Sequence, residues 1–209
     1  MPPDPVTSAP APGPEPSFVP TPTLPAEVED LVRGLMRRAT AYLEYGSGAS
    51  TLMAAEEGVA RTISVESDRA WAEAMTALVA ERGLSDRVTV HWADIGPTRK
   101  WGKPADQAAW TRWHRYPLGV WDLPDLPQPD LVLIDGRFRA ACLLATLYRT
   151  RAPVTALIDD AWRRGVVRHL RPFATPVRRV GRMAVYELAP TPFPVEKWTE
   201  IMSLFARWE

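Results

Sequence analysis

The sequence predicts an α/β fold: a doubly wound, mostly parallel sheet with an antiparallel hairpin at one edge. Three observations carry this expectation. Short apolar runs alternate with segments of helical period, the pattern of a parallel sheet covered on both faces. A glycine-rich turn follows the first such run. The chain of 209 residues, 46% hydrophobic and 24% charged, is long enough to bury one sizeable core.

The elements follow in order. Pro25 suits a first helical turn, where its missing N–H has no partner to lose. Glu27, Glu29 and Asp30 complement the helix dipole there, and Val28, Leu31, Val32, Leu35 and Met36 repeat at helical spacing. Residues 41–45 read as the first strand and 50–58 as a helix. Residues 61–66 (RTISVE) form the second strand. Trp71, Met75, Leu78 and Val79 mark the next helix, ended by Gly83. Strands are expected at 88–92, 130–134 and 154–158, with a helix over 139–149. After an arginine-rich helix, 177–180 and 183–188 read as strands joined through Gly181 and Arg182. A terminal helix carries Trp198, Ile201, Met202 and Phe205. Right-handed crossovers then impose a Rossmann-like winding. Residues 95–129 lack regular periodicity and hold Trp101, Trp110, Trp113 and Trp121, a length that is usually functional.

In an open α/β sheet, ligands bind at the carboxyl ends of the strands. After the first strand stand Glu44, Tyr45, Gly46, Ser47, Gly48, Ala49, Ser50 and Thr51. Gly46 and Gly48 permit a tight turn, and Ser50 and Thr51 can cap the next helix. Glu66 and Ser67 end the second strand; a carboxylate there can accept from both hydroxyls of a ribose. Asp94 and Ile95 follow the third strand, where an acid can accept from an adenine amino group. A nicotinamide fingerprint wants glycine or alanine at the sixth place of the turn, which is Thr51 here. Glu44 would repel a diphosphate and attract a cationic amino group. The site therefore favours a ligand with an α-amino group and no phosphate.

The runs YLEYGSGAST, ISVESD, ADIG and DLVLIDG together resemble the class I S-adenosylmethionine-dependent methyltransferases over residues 27–188. The family's first motif is an acid followed by two glycines at alternate places, matched by Glu44, Gly46 and Gly48; its third small position is Ser50 here. The resemblance implies that S-adenosylmethionine is the cofactor. Its methionine part would lie on Glu44 and the Gly46–Gly48 turn, its ribose on Glu66, and its adenine by Asp94 and Ile95. Tyr45, Ser47, Ser67, Thr51 and Asp135 complete the expected cofactor set. The implied reaction is methyl transfer to an oxygen or nitrogen of a small molecule. A catalytically idle cofactor-binding module and, with less support, an NAD-dependent oxidoreductase are the alternatives.

Asp135 ends the fourth strand and the pair Asp159–Asp160 the fifth. This resembles the metal-dependent O-methyltransferases, in which an Asp and an Asp-Asn pair hold a divalent cation; Asp160 stands where asparagine is usual. Three carboxylates suit Mg²⁺, but Arg137 and Arg139 beside Asp135 favour ion pairing or substrate contact over a metal. Methyl transfer needs mainly positioning. Candidates for an assisting base are Asp135, Asp160, His114 and Tyr116. The tryptophans of 95–129 either stack on a flat acceptor or anchor the segment to the core. His91 is expected to be structural, His169 at the surface and Cys142 packed in the core.

Twenty-five basic and 25 acidic side chains give no net charge, which disfavours nucleic acid as a partner held by bulk charge. The balance is uneven along the chain. Residues 137–182 carry eleven arginines against two acids, so an anionic acceptor is compatible. The terminal strands and helix offer a homodimer face. One cysteine excludes an intramolecular disulfide framework. The N-terminal segment reads as neither leader nor membrane span, so the expected location is the cytoplasm. Ten of 22 prolines lie between Pro2 and Pro25. Residues 1–24 are accordingly expected to be a proline-rich flexible tail, with Phe18 and Val19 tucked against the domain of 25–209.

Overall fold

A computed structural model describes residues 19–162 and 165–208. Most of the tail, including Phe18, and Arg163 and Arg164 of the arginine-rich stretch lie outside the described residues. Val19 is exposed rather than tucked in.

The helices are α1 (Ala26–Met36), α2 (Ala49–Glu56), α3 (Arg69–Glu81), α4 (Arg115–Leu118), α5 (Arg139–Arg149), α6 (Val166–Leu170) and α7 (Trp198–Phe205). The strands are β1 (Ala41–Tyr45), β2 (Arg61–Glu66), β3 (Val88–Trp92), β4 (Thr98–Arg99), β5 (Lys103–Pro104), β6 (Leu131–Ile134), β7 (Val154–Ile158), β8 (Arg178–Val180) and β9 (Met183–Leu188). Seven of these strands form one sheet in the order β3-β2-β1-β6-β7-β9-β8. The first five are parallel, and β9 and β8 run antiparallel at the edge. The predicted doubly wound sheet and its edge hairpin are both present.

The central strands are buried on both faces, as near-continuous apolar runs require. Tyr42, Leu131, Leu133 and Leu157 pack against Val28, Val32 and Met36 of α1 and Met53 of α2. Leu43, Tyr45, Val132 and Ile134 point the other way, toward α5, whose Cys142, Leu143 and Leu144 are fully buried. Strand order reverses between β1 and β6, so the ligand crevice of such a sheet lies at their carboxyl ends.

The segment expected to be irregular holds short ordered pieces. Strands β4 and β5 make a two-residue hairpin, single 3-10 turns cover Trp110–Arg112 and Gly119–Asp122, and α4 is one turn long. Such pieces are too short for periodicity to reveal. Trp113, Tyr116, Val120 and Trp121 are buried against β1, β2 and β6. The segment thus serves as the β3-to-β6 crossover and covers a sheet face that α5 leaves open. Trp101 and Trp110 are exposed, so two of the four tryptophans anchor and two do not.

Candidate functional site

The turn after β1 is shaped by backbone. Gly46 has φ of 102°, a left-handed value that favours glycine. Its N–H donates to the Val65 carbonyl at 2.8 Å. A Cβ on Gly46 would lie 2.9 Å from the Gly136 backbone, so the loops after β1 and β6 touch at the point of strand reversal. Gly48 is extended and uncrowded. Its N–H donates to Thr51 Oγ1 at 3.0 Å, which starts α2.

Glu44 is fully buried. Its carboxylate accepts from Thr51 at 2.6 Å, Ser64 at 2.8 Å, Tyr42 at 3.2 Å and from Ser50. Burial pushes its pKa up, and the four hydroxyls draw it back down. Glu44 therefore ties the glycine turn to α2 and β2 from beneath, through the very residues Ser50 and Thr51 expected beside it.

Glu66 gathers the next group. Its carboxylate accepts from the N–H groups of Ser67 at 2.7 Å, Asp68 at 2.9 Å and Ser47 at 3.3 Å. The Ser47 hydroxyl adds a bond at 3.2 Å. Desolvation raises its pKa, and the backbone donors oppose that rise. Glu66 and Ser47, nineteen residues apart, are thus brought together as the strand order requires. Asp94 accepts from the Gly96 N–H at 3.0 Å and from Arg112 at 2.6 Å, with Arg115 at 3.6 Å. The Gly96 bond and then the arginines hold its pKa below the usual carboxylate range. Ile95 and Tyr45 are fully buried in the core, and the Tyr45 hydroxyl donates to the Pro117 carbonyl at 2.8 Å.

The acids after β6 and β7 meet each other and two arginines. Burial, followed by the neighbouring Asp159 carboxylate, pushes Asp135 up to about 7. Arg139 lies 3.2 Å from Asp135. Arg182 lies 2.7 Å from Asp159 and 3.8 Å from Asp160. Arg139 also donates to the Asp159 carbonyl. Neighbouring strands thus bring Asp135 and Asp159 together as anticipated, and arginines occupy the place considered for a cation. Among the described residues, no group of three His, Cys, Asp or Glu side chains is arranged to hold a metal. His114 lies exposed just before α4.

Sequence reasoning did not single out Gly102 or Arg112, and it named Tyr116 only as a base. Ser67 Oγ donates to the Gly102 carbonyl at 2.9 Å, and Thr98 donates to Asp68 at 2.8 Å. The Tyr116 hydroxyl abuts Gly136 and accepts from the Arg137 N–H at 3.4 Å. No sequence signal marks these contacts; Gly102 alone hints at a tight turn.

No protein-family model matches the chain, and no curated protein does. Among solved structures, a methyltransferase-like protein (SPO2022) from Silicibacter pomeroyi DSS-3 is similar at 36% identity. The match covers 90% of this chain and 98% of that one, with a TM-score of 0.79. The chain belongs to the class I methyltransferase family. Cofactor-bound Rv0187 from MTB is similar at 19% identity over 84% of this chain and 85% of its own, with a TM-score of 0.60. The O-methyltransferase TomG from Streptomyces achromogenes, solved with SAM, is similar at 20% identity over 81% and 82%, with a TM-score of 0.56. These two show the shared fold of the methyltransferases.

Proposed function

We propose that this methyltransferase-family protein binds S-adenosylmethionine and transfers its methyl group to an oxygen or nitrogen of a small molecule. The supporting observation is the ordered series at the carboxyl edge: the Gly46 turn on β1, Glu66 on β2 and Asp94 on β3, flanking the strand reversal. The donor set fits the cofactor chemically. Glu66 offers a ribose an anionic acceptor whose direction is held by backbone amides, and Asp94 offers one to an exocyclic amine. Glu44 acts from beneath, keeping the glycine turn in shape. When bound, the cofactor supplies an electrophilic methyl on a sulfonium. Asp135 then has the proton affinity of a useful base at neutral pH: its carboxylate would take the proton that the acceptor gives up as it gains the methyl, the carbon–sulfur bond breaking and the sulfur leaving as a neutral thioether. Arg139 keeps that carboxylate oriented.

The exposed side chains of Arg168, Arg171, Arg178 and Arg179 support an anionic acceptor. Trp198 and Met202 on α7, each more than half exposed, support self-association through that helix. Titration calorimetry with S-adenosylmethionine, its demethylated product and NAD tests the cofactor. Binding of the first two and not of NAD is expected; binding of NAD alone would overturn the reading. Binding without product across oxygen and nitrogen acceptors would assign an idle cofactor-binding role instead.

A further inference from the structure

Two of the three strand-end groups that the proposed function assigns to the cofactor, Glu66 and Asp94, are met by the crossover segment, and the third, the Gly46 turn, meets it only through Gly136. At β2, the hairpin tip lies on the Glu66–Ser67 corner. Ser67 Oγ donates to the Gly102 carbonyl, and a Cβ on Gly102 would stand 3.1 Å from Glu66 Oε1 and overlap Ser67 Oγ. At β3, Arg112 and Arg115 hold Asp94. At the strand reversal, the Tyr116 hydroxyl reaches the Gly136 backbone so closely that a Cβ there would collide with it. The tip is also strained: Trp101 has φ of 69°, and its side chain is 68% exposed. Such an angle is uncommon for a non-glycine residue, and the Thr98–Asp68 and Ser67–Gly102 bonds on either side hold the tip in it.

We infer that residues 98–112, flanked by the core-packed Trp113 and Tyr116, are a self-closing lid that occupies the cofactor groove, so that cofactor binding requires the hairpin tip and Arg112 to release Ser67 and Asp94. The inference rests on the cofactor reading above and adds its regulation. Only the fraction of molecules with the lid open is competent, and the apparent affinity is reduced by that fraction. Anything that stabilises the closed tip weakens binding, and anything that loosens it strengthens binding.

A reversible staple tests this directly. Ser67 Cβ is 3.7 Å from a Cβ built on Gly102, inside the range of about 3.5–4.5 Å that a disulfide spans. The double variant Ser67→Cys, Gly102→Cys is titrated with S-adenosylmethionine before and after dithiothreitol. The oxidised form is expected to bind at least about tenfold more weakly than the reduced form of the same variant, which is the reference. Equal binding in both redox states would overturn the lid while leaving the cofactor reading intact. The unmodified chain gives an independent readout by hydrogen exchange. Amides of 98–112 should exchange faster with saturating S-adenosylmethionine; exchange that is slower or unchanged overturns the lid. A chain that binds no S-adenosylmethionine in either assay overturns the cofactor reading and the lid together. Arg112→Ala, which leaves Asp94 in place, should tighten binding several-fold.

Discussion

Glu66 and Asp135 show how two buried carboxyl groups take different characters from their surroundings. Glu66 is buried under backbone donors, so its carboxyl group is aimed by the chain around it. Glu66→Ala should weaken S-adenosylmethionine binding by about tenfold or more, since a charged hydrogen bond contributes about 1.5–3 kcal/mol. Unchanged affinity in calorimetry would remove the ribose assignment. Asp135 is raised to about 7, whereas an unfolded aspartate titrates near 4 (about 3.9). Between those values the native state binds the extra proton, so this group's contribution to stability falls as pH rises through that window. Asp135→Asn should flatten the decline between about pH 4 and 7 in urea melts, because it has no proton to lose. A variant with the parent's slope would refute the shift. If Asp135 is the base, turnover should rise as pH passes about 7, and Asp135→Asn should lose that limb.

Among elements, Arg182 clasps the β8–β9 turn to the end of β7. Arg182 reaches from that turn to Asp159, whose side chain is almost wholly buried at the end of β7. Arg182→Ala would leave a buried carboxylate beside Asp135 without its main counter-charge, at a cost of about 1–3 kcal/mol. Denaturant melts of the variant against the parent read it. The same clasp bears on the metal question. With Arg139 and Arg182 on the three carboxylates, Mg²⁺ or Mn²⁺ should leave the melting temperature unchanged. A millimolar-dependent rise would restore a metal site.

For the molecule as a whole, the crossover from β3 to β6 both covers the sheet and reaches the carboxyl ends of β2 and β3. Trp121 Nε1 donates to the Tyr45 hydroxyl at 2.8 Å, and that hydroxyl donates to Pro117, so one chain of bonds ties the crossover to β1. Trp121→Ala should cost about 3–5 kcal/mol, as for other buried aromatics. Trp110→Ala, at an exposed position, should stay within about 0.5 kcal/mol. Denaturant melts separate the two, although nothing in the sequence ranks one tryptophan above the other. Strands β1, β2, β3, β6 and β7 and the glycine turn were legible because their signals are local: apolar runs, turn residues and an acid at each strand end. Contacts between residues 67 and 102, 94 and 112, or 116 and 136 were not, because they join positions that share no period.

The sequence by itself determined the winding of this sheet, the glycine turn and the placing of acids at successive strand ends. Each of these follows from neighbours along the chain, through propensity, periodicity and the excluded volume of backbone. Only the tertiary structure decided what those acids touch. It surrounded Glu44 with the hydroxyls of Tyr42, Ser50, Thr51 and Ser64, paired Asp135 and Asp159 with arginines, and laid the crossover segment across Glu66 and Asp94. Hydrogen bonds and ion pairs form between whichever donors and acceptors the fold brings within about 3 Å, and that proximity is a property of the packed chain.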